Sequence, residues 1–190
     1  MHITSGFELT TSLTNILIFI ASIYGVITVK KDKLWRLFFI MMSIDSFLGV
    51  IVHGIQMSTT VNNIFWAVLS VLFVITVNTL LTIFFKLDLK YVIILSIVVT
   101  LALLIQLIFN MNFILTFTLY VLLVLILTFY KLLKMDIQNK KIFIWAYIVV
   151  VIGGIFLLSR IKLHYLNYNG ICHIFTAIAI FMFALALKKD

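Results

Sequence analysis

The chain has no proline, one cysteine and seven glycines, and only 11% of its 190 residues are charged. The single cysteine, Cys172, excludes an intrachain disulfide and any cysteine-rich metal knuckle. Many secondary transporters break helices with Gly or Pro at the substrate site. Here proline is absent and only Gly153-Gly154 interrupts an apolar run, a pair that close helix packing explains equally well. A P-loop, a Rossmann glycine fingerprint, an H-E-x-x-H box and a Gly-x-Ser-x-Gly elbow are all missing. No lysine lies between 163 and 187, which excludes a retinal Schiff base in the last apolar run. Acids are scarce: six Asp and Glu stand against 14 Lys and Arg, a net charge of +8. In a soluble protein that balance would point to nucleic acid. Here the basic residues flank apolar runs and read as membrane-topology signals, so no nucleic-acid partner is expected. The first apolar stretch is preceded by Glu8 rather than by a basic segment, so no signal peptide is expected.

What is present is apolar sequence. Hydrophobic residues make up 65% of the chain, against about 45–50% in ordinary soluble domains. Residues 46–85 and 91–130 contain no Lys, Arg, Asp or Glu, and neither does 163–187. A bilayer-spanning helix needs about 20 apolar residues, so each of the two longer blocks holds two spans. Reading between charges and polar clusters gives seven segments: 8–29, 35–56, 64–85, 91–109, 113–131, 142–161 and 170–187. They are apolar all round, whereas barrel strands alternate. The expected fold is therefore all-α: one domain, 1–190, a polytopic membrane bundle of seven transmembrane helices with short loops.

Orientation follows from the basic residues. Lys30, Lys31, Lys33, Arg36, Lys86, Lys90, Lys131, Lys134, Lys140, Lys141, Lys188 and Lys189 fall on one side, and only Arg160 and Lys162 on the other. Twelve against two places the N-terminus outside and the C-terminus in the cytoplasm. The chain is thus expected to be an integral multi-pass membrane protein, with membrane lipids as its surroundings.

Ionisable residues within spans are costly and become functional candidates. Asp45 is the one acid deep in a span, near the middle of the second. His53 follows eight residues later near that span's outer end, and His173 lies near the outer start of the seventh. At about 1.5 Å per residue both histidines sit about 5 Å inside the outer boundary. Glu8, His164, Asn169, Asn15, Gln56 and Gln106 lie in the outer half as well. Asp45 and His53 differ by about 12 Å in height, so they line one cavity only at two levels. Asn78, at a depth similar to Asp45, is a candidate partner for its carboxyl. Trp35, Trp66 and Trp145 lie near span ends and read as interfacial anchors. Arg160 and Lys162 read as side chains snorkelling to headgroups.

A zinc hydrolase needs three protein ligands and an open position for water, whose pKa the metal lowers toward 7. His53, His173 and one of His164, Asn169 or Glu8 make a thin version of that set. Cys172 and His173 are adjacent, about 100° apart on a helix, so they cannot form a thiol–imidazole pair. Bis-histidine haem ligation by His53 and His173 is geometrically allowed.

Ser43-Ile44-Asp45 through Val52-His53-Gly54, together with Asn167-Tyr168-Asn169-Gly170-Ile171-Cys172-His173, resemble the alkaline ceramidase-like (CREST) superfamily of seven-helix membrane hydrolases. The superfamily pattern has a Ser and a His on the second helix, an Asp on the second or third, and H-x-x-x-H on the seventh. The resemblance implies zinc held by His53 and His173, with Asp45 as an accessory acid. The sequence departs from the pattern at Asn169, where a second histidine is expected, and at Gly49, where a serine is expected unless Ser46 replaces it. Three functions are carried forward: a metal-dependent hydrolase of a lipid amide or ester with an outward-opening site; a non-enzymatic module that binds or transports a small molecule, or a membrane subunit of a complex; and a bis-histidine haem electron carrier. In the first, His53 and His173 bind metal, Asp45 orients a group or relays a proton, and Glu8, Asn169, His164 and Ser46 are accessory.

Overall fold

The computed structural model describes residues 8–108, 113–163 and 165–188, side chains at 104, 106–108 and 113–118 excepted. His2, His164, the Asn110-Met111-Asn112 loop, the Gln106 side chain and Lys189 lie outside the described residues. Within them the chain forms seven helices: α1 Leu9–Thr28, α2 Lys33–Gly54, α3 Thr59–Phe85, α4 Leu89–Ile108, α5 Phe113–Lys134, α6 Lys140–Ser159 and α7 Tyr168–Leu187. Among the described residues the β-structure found is an isolated bridge between Leu163 and Leu166. Five helices, α1, α2, α3, α6 and α7, are long and apolar enough to cross a membrane, and α4 is apolar over Leu89–Leu103.

Polar residues at the run ends fix the helix starts by accepting from otherwise unpaired N–H groups. Asp32 accepts from the backbone N–H of Leu34 and Trp35, both at 3.1 Å, and starts α2. Ser58 accepts from Val61 N–H at 3.4 Å and starts α3 at Thr59, five residues before the apolar run suggested. The polar turn Thr59 to Asn63 is therefore helical, because its cap satisfies it and hydropathy does not register it. Asn167 accepts from Gly170 N–H at 2.7 Å and starts α7. At the other end of α3 the chain turns through left-handed Lys86, φ 53°.

Neighbouring contacts close a ring in the order α1, α2, α3, α5, α6, α7 and back to α1, while α4 packs on α3 and α5. Small residues allow the close approaches. A Cβ at Gly153 would lie 2.8 Å from Phe175 Cβ and 3.3 Å from the Cys172 carbonyl, which is the expected tight α6–α7 contact; Gly154 has nothing within 4 Å. A Cβ at Gly25 of α1 would enter the ring of Phe39, a fully buried side chain of α2. Gly25→Ala is expected to lower stability by about 1–3 kcal/mol through overpacking. Gly154→Ala is expected to be neutral or to gain up to about 1 kcal/mol as a helical Gly→Ala change. Unfolding in detergent would check this, and equal effects would refute the α1–α2 packing.

At the end of the ring where α2, α6 and α7's C-terminus meet, the core is aromatic. Trp35, Phe38, Phe39, Phe84, Phe143, Tyr147 and Phe183 are all buried there. Trp35 is only 4% exposed and is not an interfacial anchor, whereas Trp145 is 59% exposed. The outer surface of the bundle is itself apolar, with Ile20, Ile27, Phe47, Ile94, Ile126 and Leu158 exposed.

Candidate functional site

At the end of the bundle opposite the aromatic core, the start of α1, the end of α2 and the start of α7 converge. The Glu8 backbone N–H donates to the His53 carbonyl at 3.0 Å, which ties the entry of α1 to the last turn of α2. The Glu8 carboxylate then becomes the hub of a polar cluster. Its Oε2 accepts from Thr11 Oγ1 at 2.7 Å, from Asn167 Nδ2 at 3.0 Å and, at the limit of 3.5 Å, from Asn169 Nδ2. His53 Nδ1 lies 3.6 Å from the same oxygen, an ion pair when that imidazole is protonated. Asn167 Nδ2 also donates to Thr11 Oγ1 at 2.9 Å, so the α7 cap is bound to α1 twice.

The two histidines meet behind this hub. Their ring centroids are 6.1 Å apart at an interplanar angle of 67°, and the Trp66 ring stands edge-on to His53 at 5.4 Å. Thr14 Oγ1 lies 3.3 Å from His173 Nδ1. The Thr14 hydroxyl already donates to the Thr10 and Thr11 carbonyls, at 3.0 and 2.9 Å. Its oxygen is therefore left to accept, which assigns the neutral His173 proton to Nδ1 and leaves Nε2 as an acceptor. Two glycines let polar side chains of α1 reach the α2 backbone: Cβ atoms at Gly49 and Gly54 would lie 2.9 Å from Asn15 Oδ1 and 2.7 Å from Ser12 Oγ.

Of the residues singled out in the sequence, Glu8, His53, Asn169 and His173 are thus gathered into one place. Asn15 is buried beside them in the α1–α2 interface, where Nδ2 donates to the Thr11 carbonyl at 3.2 Å. Gln56 is exposed beyond α2. His164 lies outside the described residues. Ser46 is buried two turns deeper, and its hydroxyl donates to the Met42 and Ser43 carbonyls at 2.7 and 3.2 Å. Asp45 also stands apart: its Oδ1 is buried and has no hydrogen-bond partner among the described residues. Asn78 does not serve it; the Asn78 amide donates to Ser96 Oγ at 3.0 Å and accepts from Tyr120. Arg160 and Lys162 are exposed.

Two members of the cluster, Thr11 and Thr14, were not foreseen, and Asn167 was named only as the first residue of the α7 segment, without a role. Thr11, Thr14 and Asn15 follow an i, i+3, i+4 spacing, a polar stripe on one face of α1. Asn167 is the kind of residue that caps a helix start. Both signals were legible beside the charged residues that drew attention first.

A zinc centre can be tested against this geometry. Among the described residues no group of three or more His, Cys, Asp or Glu is placed to hold a metal ion. Glu8 Oε2 is occupied by hydroxyl and amide donors while Oε1 is not, and the Asn169 N–H₂ faces that carboxylate. A three-ligand zinc set is thus not assembled among the described residues, and His164 lies outside them.

A family described as "Family of unknown function (DUF6962)" matches residues 10–190, and the chain belongs to that family. No curated protein and no solved structure matches the chain.

Proposed function

We propose that this is a membrane protein of seven spans, N-terminus outside and C-terminus cytoplasmic, that binds a small organic cation at the outer end of the bundle without cleaving it. The span count is supported by seven helices of 20 to 27 residues, and the orientation by the twelve-to-two division of Lys and Arg. The observation that carries the ligand class is the state of Glu8. Its side chain is 30% exposed. Every hydrogen bond it accepts from described side chains goes to Oε2. Oε1 accepts from no described side chain, and the His53 imidazole, 3.6 Å from Oε2, has the Trp66 ring edge-on to it, so an ammonium on the carboxylate has aromatic rings close by.

The test is thermal unfolding of the detergent-purified protein with ethanolamine and putrescine as probes, and zinc analysis of the same sample. Wild type is expected to be stabilised by an amine, and Glu8→Gln to bind about 10–100-fold more weakly, the worth of one charge-assisted hydrogen bond. An amine response unchanged in Glu8→Gln, or none in wild type, would overturn the reading. The facing histidines favour one competitor, the metal-dependent hydrolase. About one zinc per chain, lost in both His53→Ala and His173→Ala, would replace the binding reading with that one.

A further inference from the structure

At the opposite end of the bundle, α3 and α5 finish side by side, and the chain leaving α5 folds under them. A cavity of about 310 Å³ lies there, lined by Phe85 and Lys86 from α3 and by Lys131, Lys134 and Asp136 from α5 and its exit. From this cluster we infer a site for a phosphate group, held by the ammonium groups of Lys86, Lys131 and Lys134, and supplied by the headgroup of an anionic lipid.

Lysines at helix ends have a duller explanation: they satisfy the terminal carbonyls and complement the helix dipole. Here two of those carbonyls on each helix are already served by other groups. The Thr82 and Ile83 carbonyls of α3 accept from the backbone N–H of Lys86, and Leu87 N–H also donates to Thr82 at 3.0 Å. On α5, the Leu132 carbonyl accepts from Met135 N–H at 3.1 Å, and the Leu133 carbonyl accepts from Lys140 Nζ at 2.8 Å. Among the described residues none of the three cleft ammonium groups donates to these four carbonyls.

They are not paired with acids either. Among the described residues the one lysine–carboxylate pair is Lys90 with Asp88, at 3.4 Å, and neither lines the cavity. Asp136 lines the cavity without a lysine in ion-pair range. Lys131 Nζ is held 5.6 Å over the Phe85 ring, and Lys134 Nζ donates to Tyr130 and lies 4.1 Å from that ring's centroid. Aromatic faces thus position two of the ammonium groups and leave charge uncompensated around a cavity. Basic pockets between membrane helices on the cytoplasmic side bind lipid headgroups in this way. Lys86, at the left-handed turn, lines the same cavity.

Nanodiscs containing phosphatidylglycerol at a low fraction in phosphatidylcholine provide the test, with co-purified lipid and thermal stability as readouts. Wild type is expected to retain anionic lipid several-fold over its share of the mixture. Lys86→Gln/Lys131→Gln/Lys134→Gln is expected to lose that enrichment. Lys30→Gln/Lys31→Gln/Lys33→Gln, which removes equal charge from the same end, is expected to keep it. Equal loss in both variants would mean diffuse surface charge and would overturn the site, as would no enrichment in wild type. Stabilisation of detergent-purified wild type by millimolar inorganic phosphate, without lipid enrichment, would overturn the lipid as source. A cleft variant that fails to fold is distinguished by the single changes Lys131→Gln and Lys134→Gln, each expected to reduce enrichment partially.

Discussion

Trp35→Ala is expected to be the most damaging single substitution in the protein, at about 3 kcal/mol or more. The Trp35 ring touches Phe38 and Phe39 of its own helix, Phe84 of α3, Phe143 of α6 and Phe183 of α7, with centroid separations of 5.6 to 6.2 Å. It is the side chain through which four helices meet. Truncating a buried aromatic costs about 3–5 kcal/mol in soluble proteins. Between membrane helices the hydrophobic driving force is absent, and lost packing contacts carry the cost. That places the expectation at the lower end of the range. Trp145→Ala, on an exposed ring, is expected within about 0.5 kcal/mol of wild type. Reversible unfolding in mixed micelles would compare the two. Similar small losses for both would show that the aromatic cluster does not hold the bundle together.

The contrast between these tryptophans shows what could be read in advance. Helix positions were legible because charges and apolar runs alternate at the scale of a bilayer, and six of the seven starts fell within two residues of the observed ones. The α3 start was missed because Ser58 and a polar first turn carry capping information that hydropathy does not see. Trp35 was read as an anchor from its place at a run end. What buries it is the face of α2 that it shares with Phe38, Phe39 and Met42, which packs on Phe84, Phe143 and Phe183 of three other helices. For the site, depth alone brought Glu8, Asn169, His53 and His173 to one level. Which of them touch depends on helix rotation and on ring order, and neither is encoded in spacing along one helix. The Asn78 pairing failed for that reason: its depth suited Asp45, but its face points toward α4 and α5, where Ser96 and Tyr120 take it.

Asp45→Leu is expected to raise stability, by about 1–3 kcal/mol, the cost of a buried polar group left without a partner. Asp45 lies near the middle of α2, and its Oδ1 is sealed from solvent with no described group to bond. An ionised carboxylate at the centre of a membrane helix would cost about 2.5–3.5 kcal/mol, so the acid is a liability in either form. Asp45→Asn keeps the shape and the unpartnered oxygen, and it is expected to stay close to wild type. The pair of variants therefore separates polarity from volume in one unfolding series. Loss of stability in Asp45→Leu would show a hydrogen bond that holds the middle of the bundle. A gain marks an acid retained at a cost to the fold, as is expected of a group that handles a proton or a ligand. The outer cluster gives that outcome a second readout. Asp45 is about 12 Å below His53 along α2, so the amine response at Glu8 should survive Asp45→Leu if the two levels act separately, and should fall with it if they form one path.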